Sequence, residues 1–540
     1  MPDNSMRNAL HDALSYEPEF AADMIRSGMW NGDTVTRWLA HWAHKTPQKR
    51  AFVDEWGAIT YAEAFDRAGR FANTLIGLGL RKGDVVAVQL PNMIEFVVAY
   101  LGITMMGGVL TTLHMPYRSN EAEPLLRHAQ ARAVICGARS DDYSPAVMFC
   151  ALKERLPLLA HVIVVGEKHP DAHTFGELLA GGQAEPIDDP PVAADPAFIC
   201  FSSGTSASPK AVVHGYCNML ANNRLCAPMY GLRQDDVIVS GPPFTHGFGI
   251  CCINLTLFVG ATQALFPAFK PDVYCRAIEQ FRPTVLFTAP AHVAACWKAG
   301  LLERGDFSSL RIVGISGAPC PPPVAEAFQR AAKNSKVLVL WGMTELFMGI
   351  SGRLEDSESD RFSTLGRPTP GMEVRIVAEN GQPLPSGEEG EIEIRGPSVV
   401  AQYLGNEAAT KACFRGGWFR TGDVGVIDGR GYVRMTRRLK EIINRGGVKI
   451  NPVDVEALLD NHPKILQSAI VPMPDPVLGE RACLFVVLKP QQSLTLDEVT
   501  HYLGEQGVAK LKWPERLEII AEMPMTPTRK IIKGMLTPSS

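Results

Sequence analysis

"PAFICFSSGTSASPK", residues 196–210, runs an apolar segment into a loop of small hydroxylated residues that ends on a lysine. The unbroken hydrophobicity of "PAFICF" is the pattern of a strand covered on both faces. It delivers the chain to Ser202, Ser203, Gly204, Thr205, Ser206, Ala207, Ser208, Pro209 and Lys210. Side chains this small leave backbone N–H groups uncovered, so N–H groups and hydroxyls can converge on anionic oxygens, and Lys210 adds a mobile cation. Gly204 and Lys210 stand at the spacing of the P-loop pattern GxxxxGK[ST]. Pro209, however, takes the place of the second glycine, and Ala211 that of the hydroxyl that would hold Mg2+. A P-loop NTPase is therefore disfavoured, and a Ser/Gly surface turn is the bland alternative for the loop read alone.

Working outward, "DVIVSG", "TVLFTA", "RIVGIS" and "KVLVLW" have the same buried-strand character. Upstream, Thr60 and Glu63 in "TYAE" form a capping box, followed at helical spacing by Ala64, Phe65, Ala68, Phe71, Ala72, Leu75 and Ile76 up to Gly77. "DVVAVQL", "GVLTTL" and "RAVIC" then alternate with helical segments. Such alternation predicts an α/β fold of mainly parallel sheets flanked by helices. The uncharged run 96–113 is long enough to raise a membrane span, but Gly107-Gly108 splits it into a buried helix and a buried strand. Near residue 431 the texture changes to "GYVRMTRRLKEIINRGGVKI", then a helix opened by Pro452, strands in "QSAIVPM" and "ACLFVVLK", and a helix in "TLDEVTHYLGEQ". This is a compact α+β unit of roughly 100 residues. The expected division is a large domain over 1–439 and a small one over 440–540, with no internal repeat.

The chain has 540 residues, more than one core normally organises. Its 53 Lys+Arg against 57 Asp+Glu, a formal charge of −4, lack the basic excess of a nucleic-acid binder. Twelve cysteines sit mostly in apolar runs without CxxC or Cys/His ligand spacing, the usage of reduced thiols. The first twenty residues contain no apolar signal-peptide core, so a cytoplasmic protein without a membrane span is expected.

"SSGTSASPK" resembles the (S/T)SG(T/S)TGxPK loop of the adenylate-forming superfamily of acyl-CoA synthetases, adenylation domains and luciferases. "SGAP" (316–319), "WGMTE" (341–345), "GWFRTGD" (417–423), "RLKEIINRGGVKINPVDVE" (438–456) and "PMTPTRK" (524–530) follow in that family's order. They resemble its adenine-binding, metal-binding, ribose-binding, hinge and catalytic-lysine segments. The resemblance covers essentially the whole chain and implies ATP, Mg2+ and CoA as cofactors. In the implied reaction a carboxylate attacks the α-phosphorus of ATP, so two anions must be brought together by cations and fixed dipoles.

Carried over by motif, Ser202, Ser203, Gly204, Thr205, Ser206 and Lys210 would embrace the β- and γ-phosphates, and Gly317, Ala318, Pro319, Trp341, Gly342 and Met343 the adenine side. Thr344 would hold an α-phosphate oxygen and, with Glu345, the metal; a helix N-cap is the structural alternative for Thr344. Asp423, in a glycine-loosened turn, would accept from both ribose hydroxyls, or else bond its own backbone. Arg438 would contact the ribose or phosphate side. Lys530 would bridge the substrate carboxylate and the α-phosphate, unless "TRKIIK" is only a charged tail in which Lys533 is a decoy. Lys440 would be the hinge about which the small domain swings, bringing Gly446 and Gly447 to let a pantetheine arm pass; a β-turn explains the glycines equally well. Trp341 stands where family members have Tyr, Arg437 and Arg529 where glycine is usual.

"PPFTHGFGICCIN" resembles the segment whose histidine, here His246, lines the acyl tunnel, although His246 is also readable as a satisfied core histidine. Where 2-hydroxyaryl acids are activated the next residue is commonly Asn; Gly247 disfavours them here. Phe244, Ala289, Gly314, Ile315 and Met343 are apolar or small, pointing to an aliphatic or alicyclic acid. "LGERACLFVVLK" and "GVAKLKWPERLEII" resemble bacterial short- to medium-chain and cyclohexanecarboxylate-type acyl-CoA synthetases. The expectation is an acid–thiol ligase, monomeric or homodimeric, that forms acyl-AMP and then acyl-CoA. A stand-alone adenylation enzyme loading a carrier-protein pantetheine is its rival, and a degenerate nucleotide-binding homologue is a third reading.

Overall fold

A computed structural model describes residues 5–139, 143–202, 210–439, 443–445, 448–475, 479–506, 508, 510–526 and 529–538. "PAFICF" lies in the strand Pro196–Ser202, parallel to Val109–Thr112 on one side and antiparallel to Lys210–Gly215 on the other. Among the described residues these belong to a seven-stranded sheet. Its order is His173–Thr174, His161–Val165, Ala133–Gly137, Val85–Gln89, Val109–Thr112, Pro196–Ser202, Lys210–Gly215. All pairs but the last are parallel. Ser202 and Lys210 are register partners, so the two ends of the small-residue loop are fixed side by side.

A second sheet, nine-stranded among the described residues, holds the later apolar runs. Lys336–Met343, Ile312–Ile315, Val285–Thr288, Val237–Ser240, Thr262–Ala264 and Arg50–Val53 are parallel neighbours in that order. Phe347–Ser351 and Arg367–Pro368 extend one edge and Ala58–Thr60 the other, all antiparallel. The β-branched runs are covered on both faces, as their unbroken hydrophobicity requires.

The capping box at Thr60 and Glu63 opens Tyr61–Gly77 as expected. Ala64, Ala68, Phe71, Ala72 and Leu75 are buried, but Phe65 and Ile76 are 38% and 40% exposed, because they lie on the margins of the apolar stripe. The run 96–113 divides into the helix Ile94–Met105 and the strand Val109–Thr112, with Gly107 at φ +72° between them. Among the described residues no helix is long and apolar enough to cross a membrane. The helix Gly247–Val259 is buried from Gly247 to Leu257 and packs on Val35–Lys45 and Tyr216–Met229. All twelve cysteines are free.

The chain forms two compact units, divided differently from the expected 1–439 and 440–540. Among the described residues the first runs to 202 and includes 210–373 and 394–419; the second includes 374–393 and everything from 420. Both large sheets lie in the first. In the second, residues 423–427 pair antiparallel with Val433–Arg438. A further sheet joins Val448–Ile450, Ile443–Arg445, Gly479–Leu488 and Ile465–Asp475, and Arg516–Ile519 runs parallel to Gly479–Leu488. The helices Pro452–Leu459 and Leu496–Glu505 lie where the sequence places them, the first with Asn451 as N-cap and the second with a Thr495–Glu498 capping box.

Candidate active site

In the first unit the site grows from a tight hairpin. The strand Lys336–Met343 turns through Thr344, Glu345 and Leu346 into the antiparallel strand Phe347–Ser351. Thr344 thus lies in a hairpin turn and caps no helix. A Cβ on Gly342 would lie 1.8 Å from the Phe347 carbonyl oxygen, so only glycine fits there. Phe347 itself takes φ +58°, a left-handed conformation that a non-glycine residue adopts at a cost of about 1–2 kcal/mol. Its ring is buried against His214, 4.3 Å between centroids.

His214, which motif reading did not single out, is fully buried on the strand that begins at Lys210. Its Nδ1 accepts from the Asn218 amide at 2.9 Å, and its Nε2–H donates to the Thr344 carbonyl at 2.8 Å. Burial pushes the imidazole down to about 4, so it stays neutral at physiological pH and anchors the Thr344 turn. The signal in the sequence is one histidine inside the otherwise apolar "AVVHG".

Glu345 is 5% exposed, and Oε1 accepts the Tyr403 hydroxyl at 2.8 Å. Lys210 Nζ stands 4.3 Å from the centre of the Tyr403 ring and 3.7 Å from Cys413 Sγ. The loop's terminal cation and the buried carboxylate therefore flank a single aromatic residue. Among the described residues no three His, Cys, Asp or Glu side chains cluster as metal ligands. A lone carboxylate suits Mg2+, which completes its shell with water and substrate phosphates. Glu345 and Thr344 would hold the ion, which when bound neutralises phosphate charge.

Gly317 follows Ile312–Ile315 at φ +96° with open space about it, so backbone freedom is its use. Ala318 and Pro319 continue that turn at partly exposed and exposed positions. Trp341 is buried, while Gly342 and Met343 are half-buried. His246 caps the helix Gly247–Val259, Nδ1 accepting from Phe248 N at 3.2 Å, and its ring lies 6.3 Å from that of His114. A Cβ at Gly247 would meet Phe347 at 3.4 Å and Cys200 Sγ at 3.9 Å, an apolar surrounding.

The second unit brings Asp423, Arg438 and Lys530 together. Asp423 and Arg438 are register partners, and Arg438 Nε lies 2.9 Å from Asp423 Oδ1. "RTGD" reads as a turn in sequence; in the structure it is part of the strand Trp418–Ile427, with Gly422 at φ +73° and Asp423 1% exposed. Arg437 pairs with Glu389 at 2.8 Å. Burial pushes the Lys530 ammonium down to about 8, aided by the Arg438 guanidinium and opposed by the Asp423 carboxylate. Lys533 is held by Glu456 at 2.8 Å and is separately engaged. Arg529 adopts φ +59°, the conformation open to the glycine it replaces. Hydrogen bonds from Arg529 N to Thr526 O, 2.8 Å, and from Thr526 N to Lys530 O, 2.7 Å, close the turn. Ser203, Gly204, Thr205, Ser206, Ala207, Lys440, Gly446 and Gly447 lie outside the described residues.

The AMP-binding enzyme family model matches residues 39–404, and that of the AMP-binding enzyme C-terminal domain matches 454–530. The chain belongs to the AMP-binding enzyme family, within the adenylate-forming superfamily, and is an ATP-dependent, acid-activating ligase of its acyl-CoA synthetase branch. It is 31% identical over 529 residues to the medium-chain fatty-acid–CoA ligase of Escherichia coli (strain K12), covering 97% of this chain and 93% of that one. It is 32% identical over 536 residues to the salicyl-AMP ligase / salicyl-S-ArCP synthetase of Mycobacterium tuberculosis (strain ATCC 25618 / H37Rv), covering 96% and 93%. Among solved structures, the anthranilate CoA ligase AuaEII in complex with anthranoyl-AMP superposes with a TM-score of 0.85 at 25% identity, covering 94% and 96%.

Proposed function

We propose that this enzyme activates an aliphatic or alicyclic carboxylic acid to acyl-AMP, releasing pyrophosphate, and transfers the acyl group to CoA in the cytoplasm. The observation that carries the reading is the placement of Lys210 and Glu345 on one tyrosine, a phosphate-binding cation beside a metal-binding carboxylate. Lys530 supplies the charge that offsets repulsion as the carboxylate approaches the α-phosphate. Asp423, turned toward Arg438 in the same unit, takes the ribose hydroxyls. Lys440 is the hinge, and the glycines at 446 and 447 serve the thiol step. The phenyl ring of Phe347 and the Cys200 thiol beside Gly247 favour the aliphatic or alicyclic class.

A panel of carboxylic acids scored by pyrophosphate release tests the first half-reaction, with turnover expected to be highest for short- to medium-chain and alicyclic acids. Salicylate as the preferred acid would overturn the substrate class. The similarity to a salicyl-S-ArCP synthetase supports a second reading, a carrier-protein pantetheine as acceptor. Acyl-CoA formation on adding CoA supports the first; acyl transfer only to a phosphopantetheinylated carrier protein supports the second.

A further inference from the structure

We infer that Tyr403 is a positioning residue that sets both the metal-binding carboxylate of Glu345 and the phosphate-binding ammonium of Lys210, an inference that rests on the function proposed above. The ring is fixed from several sides. Tyr403 is 3% exposed, its backbone bridges Val212, and its N–H donates to Thr410 Oγ1 at 3.1 Å. Leu404 N donates to the Ala211 carbonyl at 2.9 Å, and Phe414 packs edge-on at 5.5 Å between centroids. The segment around residue 403 is thus stitched to the strand that starts at Lys210, nearly two hundred residues earlier in the chain.

From this fixed ring two interactions diverge. The hydroxyl donates to Glu345 Oε1 at 2.8 Å, which restricts rotation of a carboxylate that must present its oxygens to an ion. The ring face attracts Lys210 Nζ at 4.3 Å, seating a long flexible cation at the exit of the phosphate loop. Edge and face of one side chain therefore align two charges of opposite sign with no charge of its own.

Tyr403→Phe removes the hydroxyl and keeps the ring; Tyr403→Leu removes both. ATP binding is measured by calorimetry on the full chain, with Mg2+ and separately with EDTA, alongside thermal melts that check folding. Tyr403→Phe is expected to weaken binding about tenfold with Mg2+ and to leave binding in EDTA unchanged, while Tyr403→Leu weakens both. In a Glu345→Gln background, Tyr403→Phe is expected to add nothing. Unchanged Mg2+-dependent binding in Tyr403→Phe, or equal losses with and without the metal, overturns the inference. Wild-type protein that binds ATP equally in Mg2+ and EDTA overturns instead the metal assignment on which it rests.

Discussion

The two charged clusters differ in how tightly their members are held. In the first unit every key group is satisfied in place: His214 is bonded at both ring nitrogens, Glu345 takes a phenol, and Lys210 lies over a ring. In the second, Lys530 has an ammonium that burial depresses to about 8, beside a turn that Arg529 holds in a left-handed conformation. The first arrangement suits a fixed grip on phosphate and metal. The second suits a charge needed at one step only.

Removing the charge breaks this contrast most severely. Lys530→Ala is expected to lower pyrophosphate release by about 10²–10³-fold, the scale for losing a preorganised charge-stabilising donor, while CoA still attacks supplied acyl-adenylate. Equal loss of both steps would refute the division of labour. Next comes the anchor of the fixed cluster. His214→Phe keeps the volume but leaves the Thr344 carbonyl and the Asn218 amide short of a partner, and is expected to destabilise by about 1–3 kcal/mol. Because the folded ring stays neutral while the unfolded one takes up a proton below its ordinary value of 6.5, this loss should be largest near pH 8 and shrink by about 1 kcal/mol toward pH 6, as thermal melts at several pH values would show. A loss that grows toward low pH would mean that the imidazole is charged.

The third test reads the pH dependence of the second cluster. A lysine with a lowered pKa carries its ammonium below about 8 and loses it above. The adenylation kcat/KM, which reports the free enzyme, should therefore fall as pH rises through 8, approaching tenfold per unit. Lys530→Arg, whose guanidinium stays charged, should lower the plateau yet lose that limb. A limb that persists in the arginine variant would belong to another group.

The contrast also explains what the sequence could reveal. The parallel strands were legible because Val- and Ile-rich runs covered on both faces look alike wherever they occur, and the helix 61–77 because its capping box is local. Sheet order was not legible, since it depends on crossovers between distant segments. Asp423, Arg438 and Lys530 were legible as motif positions, but "RTGD" has turn composition, and it is pairing with distant segments, the strand Gly390–Arg395 beside it and Arg438 opposite Asp423, that makes it a strand. Tyr403 was missed because its partners lie 58 and 193 positions away in the chain, from Glu345 and Lys210. His214 hid inside an apolar strand, where a buried histidine reads as packing until its partners are known.

The smallest expected effect separates two residues with nearly the same backbone angle. Phe347 at φ +58° and Arg529 at φ +59° both take a conformation that side chains disfavour. Phe347 offsets that strain with a ring buried against His214, so replacing it by glycine would open a cavity. Arg529, by contrast, is exposed. Arg529→Gly should relieve about 1–2 kcal/mol of backbone strain while adding about 0.5–1 kcal/mol of unfolded-state entropy. The net gain is about 0–1.5 kcal/mol, a rise of a few degrees at most in a thermal melt. Adenylation should be unchanged, because the turn already has the shape that glycine would give it. A large gain in pyrophosphate release would show instead that arginine at 529 distorts the approach of Lys530, and that the second cluster is built less well than its hydrogen bonds imply.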